Sequence, residues 1–356
     1  MGNPKNNERL WYEKPAGEWK EGLPIGTGRI AAMVLGKTDV ERIALNHEWL
    51  SRGYHRNRKN PDRSEFVPKV RELLKKEDYK EASQLANDAW GGDGGISGRP
   101  SREDGFKPFG DLFFSVNHGE NPEITDYKRE LDLSTGEVKV SYKADGNTFS
   151  YRYVAQLVKD IIVVKITSEN KAFDADFWLD RIEEDDLTVK KSAFTVNQNG
   201  DDEYIVINSP KMAGKEVDNT DLYECLKGIA KNGERSTGVI GITGQYTEEN
   251  GTVFSGLVKI TSSDGKMSVN ARKDFQRLDI SALEQNKEPF KVNNASIKVR
   301  ETTSVTFYIN LGTDVKENVS DLEEASKNLV DTPYEALFAE NVKEYESHYG
   351  RLSLNI

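Results

Sequence analysis

Apolar residues recur along this chain with two different periods, and the change from one to the other divides it into stretches. From about 8 to 50 the sequence reads as short extended segments punctuated by Gly22, Gly26, Gly28, Gly36 and Gly53, a spacing that predicts brief strands joined by tight turns. Two helical stretches follow. Asp62-x-x-Glu65 and Asp78-x-x-Glu81 have the form of helix starts, and apolar residues at helical spacing come after each. The first presents Phe66, Val67, Val70, Leu73 and Leu74 on one face, the second Tyr79, Ala82, Leu85, Ala86 and Ala89, which predicts a helical hairpin packed on a sheet. Trp90-Gly91-Gly92-Asp93-Gly94-Gly95 then breaks the helix and opens a polar loop reaching about Lys107.

From there the period is two. Val138, Val140 and Tyr142 alternate, Asp145-Gly146 marks a hairpin, and Phe149, Tyr151 and Tyr153 alternate on the return. Ile161 to Ile166, Val253 to Ile260 and the set Val305, Phe307, Ile309 and Leu311 continue the pattern. Antiparallel patterning with few intervening helices predicts a mainly β fold, a large antiparallel two-sheet sandwich over about 8 to 313 with a small helical insertion near 62–90. After Gly312, Ser320-x-x-Glu323 and Thr332-Pro333-Tyr334-Glu335 are helix starts, the second with Pro at the first helical position. Tyr334, Leu337, Phe338, Val342, Tyr345 and Tyr349 make its apolar stripe and Gly350 its end. Leu352, Leu354 and Ile356 start a new alternation without continuation, which reads as a chain stopping inside an element.

Only 36% of the 356 residues are hydrophobic, yet 5 Trp, 14 Tyr and 14 Phe supply the large apolar surfaces of a folded protein. The net charge of -11 argues against a nucleic-acid partner, because neutralising phosphates needs a concentrated positive field. Cys225 alone makes no disulfide framework. No apolar run has the roughly 18 residues that span a bilayer, which argues against a membrane partner, and Met1 to Asn6 lacks the apolar core of a signal peptide. That leaves localisation undetermined, since secreted proteins are often studied without their leaders.

Few motifs carry chemistry. Gly36-Lys37-Thr38 lacks the upstream glycine of a phosphate loop, that position being Ala31. Gly22 to Gly28 and Gly91 to Gly98 miss the dinucleotide spacing and read as turns. His47, His55, His118 and His348 are too scattered for a ligand pair, so no metal and no cofactor is expected. No Gly-x-Ser-x-Gly elbow is present, and Cys225 reads as a small core residue. Glu183 to Asp186 could hold a hard cation or act as paired carboxylates, but a solvated turn is the simpler reading; Asp180 and Arg181 share that ambiguity. Arg52-Gly53-Tyr54-His55-Arg56-Asn57-Arg58-Lys59 is a basic run, better suited in so acidic a chain to docking on an acidic neighbouring domain than to gripping phosphates. Asn46-His47-Glu48-Trp49 joins amide, imidazole, carboxylate and indole. Sugars are bound by that mixture; a buried Trp49 with incidental polar neighbours is the competing reading.

The order of several motifs resembles a known family. Leu10-Trp11-Tyr12-Glu13-Lys14-Pro15-Ala16, Trp19, Gly22-Leu23-Pro24-Ile25-Gly26-Thr27-Gly28-Arg29 and Arg42-Ile43-Ala44-Leu45-Asn46 with Glu48 resemble the opening of family 95 glycoside hydrolases. Phe109-Gly110-Asp111-Leu112 and Tyr127 to Leu133 resemble its next landmark, and Tyr345 to Leu354 its helical linker. Where many members read Leu-Trp-Ser-Gly after the asparagine, this chain departs with Glu48-Trp49-Leu50-Ser51-Arg52-Gly53.

The resemblance implies an N-terminal super-sandwich, a helical linker, an (α/α)6 barrel and a C-terminal β domain, with inverting hydrolysis of terminal α-L-fucosyl or α-L-galactosyl residues. On that pattern residues 1–313 are the sandwich and 314–356 the start of the linker. The catalytic residues fall in the barrel, so none is carried onto this chain, which is expected to be inactive alone. The expected partners are a fucosylated glycan, through the full-length protein, and the barrel of the same chain. Asn46, His47, Glu48, Trp49, Arg52 and Arg56 are the expected substrate-binding or interdomain residues. A free-standing carbohydrate-binding or interaction module is the alternative, and an aldose epimerase-type sandwich enzyme a third, lacking converging His and Glu residues.

Overall fold

The period-two stretches form strands, because alternation gives each a face that only a second sheet can bury. The computed structural model describes residues 9–51, 62–91, 106–181, 187–195, 203–209, 223–224, 237–246, 252–277, 290–314 and 332–351. The chain divides into two units, one made of residues 1–50 with 108–356, the other of 51–107.

In the larger unit the strands are β1 (Arg9–Tyr12), β2 (Leu23–Gly26), β3 (Ile30–Val34), β4 (Val40–His47), β5 (Gly110–Asn117), β6 (Ile124–Asp132), β7 (Glu137–Ala144), β8 (Asn147–Gln156) and β9 (Ile161–Ser168). They continue as β10 (Phe173–Asp180), β11 (Leu187–Thr195), β12 (Glu203–Ser209), β13 (Tyr223–Glu224), β14 (Thr237–Tyr246), β15 (Val253–Ser262), β16 (Lys266–Arg277), β17 (Phe290–Thr302) and β18 (Ser304–Thr313). An 11-stranded sheet runs β1-β6-β7-β8-β9-β18-β15-β14-β11-β12-β13, and a 7-stranded sheet runs β16-β17-β10-β5-β4-β3-β2. Neighbours pair antiparallel throughout.

Between the sheets, Phe114 of β5 and Phe177 of β10 meet Tyr151 of β8 and Phe307 of β18, with ring centroids 5.3–5.8 Å apart. Each ring is almost fully buried and contributes on the order of 2–3 kcal/mol by leaving water. The predicted hairpin is present, with Val138, Val140, Tyr142, Phe149, Tyr151 and Tyr153 all facing this core. Close packing dictates Gly244, where a Cβ would sit 2.1 Å from the Phe254 ring of the paired strand.

A helix at Tyr334–Tyr349 lies on the outer side of the large sheet. Its Tyr334 and Leu337 bury against Val154, Ile161, Val163 and Tyr308, and Glu335 pairs with Arg152 and Lys165. Pro333 stands at its N-cap, one position earlier than the sequence suggested, and the apolar stripe fades toward an exposed Tyr349. Polar Asn341 is buried instead.

In the smaller unit, α1 (Val67–Lys75) and α2 (Tyr79–Ala86) occupy the expected insertion, and the C-terminal helix is α3 in chain order. Asp78 caps α2 by accepting from the Glu81 N–H at 3.4 Å. Asp62 does not cap α1. It accepts from Ser64 N–H at 2.9 Å and starts a single 3-10 turn (Ser64–Phe66), and the α-helix begins only where Pro68 fits its first turn. Of the two predicted faces only Ala82 and Ala89 are buried, while Leu74 and Tyr79 are exposed.

Candidate functional site

At one end of the larger unit three turns converge. β3 and β4 pair Ile30 with His47 and Ala31 with Asn46, which brings the turn before β3 beside the end of β4. Gly28 allows that turn by taking φ 102°, and Thr27 N–H closes it on the Ile30 carbonyl at 2.9 Å. The Glu48 N–H then donates to the Arg29 carbonyl at 2.9 Å, and the Trp49 N–H to His47 Nδ1 at 3.2 Å. Accepting at Nδ1 leaves the proton of a neutral imidazole on Nε2.

The third turn, between β8 and β9, supplies Asp160 in the left-handed region at φ 54°. Both of its carboxylate oxygens are used, one by the Thr27 hydroxyl and one by Arg29 Nε at 2.7 Å. The guanidinium of Arg29 lies 5.2 Å from the centre of the Trp49 ring, and His47 meets the same ring edge-on at 5.4 Å. Asp160 is therefore engaged as an anchor, and the indole is held from two sides.

Of the residues singled out by sequence, the structure brings His47 and Trp49 together and ties Glu48 to the same turn through its N–H, while Asn46 alternates with His47 along β4 and so points to the other face. His47 is buried, Asn46 and Trp49 are half-buried, and Glu48 is exposed. Arg52 and Arg56 lie outside the described residues. Thr27, Arg29 and Asp160 are the members sequence reasoning did not select. The first two stood inside the quoted Gly26-Thr27-Gly28-Arg29 motif, and a turn aspartate between two apolar runs was the available signal for the third.

The same β8–β9 turn is tied to α3. The Leu157 N–H donates to Asn341 Oδ1 at 2.9 Å, Gln156 Nε2 donates to Glu340 at 2.8 Å, and Lys159 N–H donates to Gln156 Oε1 at 2.6 Å. Gln156 and Asn341 are buried.

Two charged groups elsewhere are sites of structure. Asp180 and Arg181, read from sequence as part of a solvated turn, are both 1% exposed. Asp180 accepts from the buried Lys191, whose ammonium also donates to Asn294 Oδ1 at 2.7 Å. Arg181 donates to the Tyr246 hydroxyl at 2.7 Å above the Phe254 ring. A bulky aromatic floor and an internal counter-charge draw these groups inward. The acidic run at 183–186 lies outside the described residues.

Glu41 occupies the Gly36-Lys37-Thr38 turn. Its carboxylate accepts from the N–H groups of Leu35 and Gly36, each at 3.0 Å, and of Lys37. The amides a phosphate would need thus hold an internal anion. Burial pushes this carboxyl up to about 7, against the pull of those three donors. Among the described residues no group of three or more His, Cys, Asp or Glu could hold a metal ion.

Comparison with known proteins places the chain among carbohydrate-active proteins. The sequence model described as glycosyl hydrolase family 65, N-terminal domain, matches residues 10–318. Alpha-L-fucosidase 2 of Arabidopsis thaliana is 31% identical over 160 residues, 44% of this chain and 18% of the relative. "Probable alpha-fucosidase A" of Aspergillus oryzae is 22% identical over 187 residues, 49% of this chain and 24% of the relative. The matches thus span less than a quarter of these relatives' length. Among solved structures, a family 92 alpha-mannosidase of Bacteroides thetaiotaomicron overlaps 96% of this chain and 37% of its own, with 9% identity and a TM-score of 0.30; an overlap at that level does not bear on function.

Proposed function

Because the chain belongs to the family of glycosyl hydrolase family 65 N-terminal domains, we propose that it serves as the non-catalytic sandwich of a longer glycoside hydrolase that removes terminal α-L-fucosyl, or α-L-galactosyl, residues. The observation that carries the fucosyl part is the 31% identity over 160 residues to alpha-L-fucosidase 2, joined to the motif order that resembles family 95. In this reading residues 1–313 are the sandwich, and 314–356 begin a helical linker to an (α/α)6 barrel that holds the catalytic acid and base.

Inverting hydrolysis needs an acid and a base roughly 6.5–9.5 Å apart across the sugar. Asp160, one of two carboxylates at the candidate end beside Glu48, is already bound to Thr27 and Arg29, which suits it to holding shape. Asn46 to Trp49, with Arg29 behind the indole, would then face the barrel and shape its sugar pocket, and Arg52 and Arg56 are proposed to take part in the same recognition.

The test is an assay of the full-length protein and of this 356-residue chain on an aryl α-L-fucoside, with proton NMR of the released sugar. Turnover with inversion by the full-length protein and none by the chain is the expected result. Turnover by the chain, abolished by a substitution within it, would overturn the assignment.

A further inference from the structure

Away from the three turns, the outward face of the small sheet carries a groove of about 320 Å³ over its central strands β5, β10 and β17. Its walls are alternate, outward residues of paired strands. Ser115 stands opposite Asp176 and Asp176 opposite Lys298, while Asn117 stands opposite Asp174. Arg300 closes the row, and Val116 and Ala175 form the buried floor.

The groove is shaped by an irregularity that plain alternation would not produce. Phe173 pairs with Thr302 but Ala175 with Val299, so β17 carries one extra residue there. Glu301 takes the left-handed region at φ 55°, a conformation that costs a non-glycine residue free energy and clusters at binding sites. The bulge delivers the Glu301 N–H to Asp174 Oδ1 at 2.9 Å and sets Arg300 Nη1 on the other oxygen. The Glu301 side chain is drawn aside by Lys266 at 3.1 Å. Asp174 is thereby fixed in orientation before any ligand arrives.

Donors remain in the same groove. Among the described residues Lys298 makes no ion pair, and Arg300 is bound only through Nη1. The Asn117 side chain uses its oxygen, at 2.9 Å from Gly119 N–H, and leaves its amide donors outward. The charges of Asp174, Asp176, Lys298 and Arg300 cancel. A charge-neutral groove that offers an ammonium, a guanidinium edge, an amide and a hydroxyl around an oriented carboxylate matches vicinal hydroxyls, which donate and accept in pairs.

We propose that this groove is a second carbohydrate site, separate from the candidate end, that holds a neutral oligosaccharide without cleaving it. The choice of a sugar rests on the proposed carbohydrate role; the groove itself stands on the geometry. Calorimetric titration of the 356-residue chain with fucosyllactose, cellotetraose and a galacturonate trimer tests it. At least one neutral probe should saturate, with weak affinity, and Lys298→Ala and Asn117→Ala should each weaken it by about fivefold to tenfold. Trp49→Ala should leave it intact. Thermal unfolding of each variant checks that the fold is kept; amide NMR shifts confined to residues 115–117, 174–176 and 298–300 would support the site independently. No saturation by either neutral probe, saturation by the galacturonate alone, or equal affinity in both groove variants would overturn it. Groove binding together with a full-length protein that cleaves no α-L-fucoside would keep this site and remove the fucosidase reading; fucoside cleavage without groove binding would do the reverse.

Discussion

The centre of the sandwich and its three-turn end belong to the same two sheets, and different forces hold them. At the centre, Phe114, Tyr151, Phe177 and Phe307 join the sheets through non-directional apolar contact. At the end, Thr27, Arg29, His47, Trp49 and Asp160 join through hydrogen bonds and a guanidinium over an indole. Burial scales with area and is spread over many residues, so the centre holds the fold. Directional contacts among half-exposed groups add little stability but set geometry to fractions of an ångström. On the proposed reading, a sandwich that supports a catalytic barrel needs both kinds of region.

The sharpest way to break the contrast is at the centre. Phe177→Ala should lower the unfolding free energy by about 3–5 kcal/mol, because the cavity has packed rings on both sides and cannot collapse. Urea unfolding reads it as a lower midpoint with an unchanged slope. Lys191→Ala should cost about the same, roughly 3–5 kcal/mol, by removing the buried ammonium that pairs with Asp180 and donates to Asn294. Replacing the pair together, as Lys191→Met with Asp180→Leu, should recover most of that loss. Arg29→Ala, in contrast, should cost the isolated chain no more than about 1 kcal/mol, since Arg29 is 38% exposed.

Glu41 gives a second, pH-dependent probe. Its folded pKa of about 7 exceeds the ordinary 4.5, so between those values the folded chain holds a proton that the unfolded chain has released. The stability it contributes is complete below about 4.5 and falls as pH rises toward 7, by roughly 3 kcal/mol at about 1.36 kcal/mol per pH unit. Unfolding measured across that range should therefore show a downward slope that Glu41→Gln flattens. An equal slope in both proteins would mean that the three backbone donors, not burial, set the carboxyl.

How legible each region was follows from the same contrast. Alternation at Val138 to Tyr153 and at Val305 to Leu311 announced the core, because every second residue must reach the opposite sheet. The turn at Asp145-Gly146 was equally plain, and both residues take positive φ there. Contacts such as Arg29 to Asp160 or Leu157 to Asn341 join residues more than a hundred positions apart and have no period. Asn341 carried no signal beside the apolar stripe of its helix, while Asp180 and Arg181 read as part of a charged turn. Their burial depends on Lys191, Asn294 and Tyr246, partners that no local pattern names. Asn46 to Trp49 stood out in the sequence by residue type, but its contacts with Arg29 did not.

If the full-length protein cleaves fucosides as proposed, replacing Arg29 or Trp49 by Ala in it should reduce that hydrolysis by an amount equivalent to about 1–3 kcal/mol, the scale of losing one well-packed contact at an interface. Unchanged hydrolysis in both variants would separate the three-turn end from the pocket.

The smallest expected effect concerns how α3 reaches that end. Asn341 holds the start of the β8–β9 turn at Leu157, and Asp160 at its close holds Thr27 and Arg29. Only Val158 and Lys159 lie between these anchors, so a shift at one should reach the other. Asn341→Ala removes the acceptor of the Leu157 N–H, and Asp160→Asn keeps shape while removing the charge that faces Arg29. If the turn transmits position, the two losses should not add: a double-mutant cycle in urea should give a coupling of about 0.5–1 kcal/mol. Acrylamide quenching of Trp49, isolated by subtracting a Trp49→Phe background, should rise in Asn341→Ala although Asn341 does not touch the indole. Additive energies with unchanged quenching would show that helix and turns are fixed independently, and that the end of the sandwich is shaped by the strands alone.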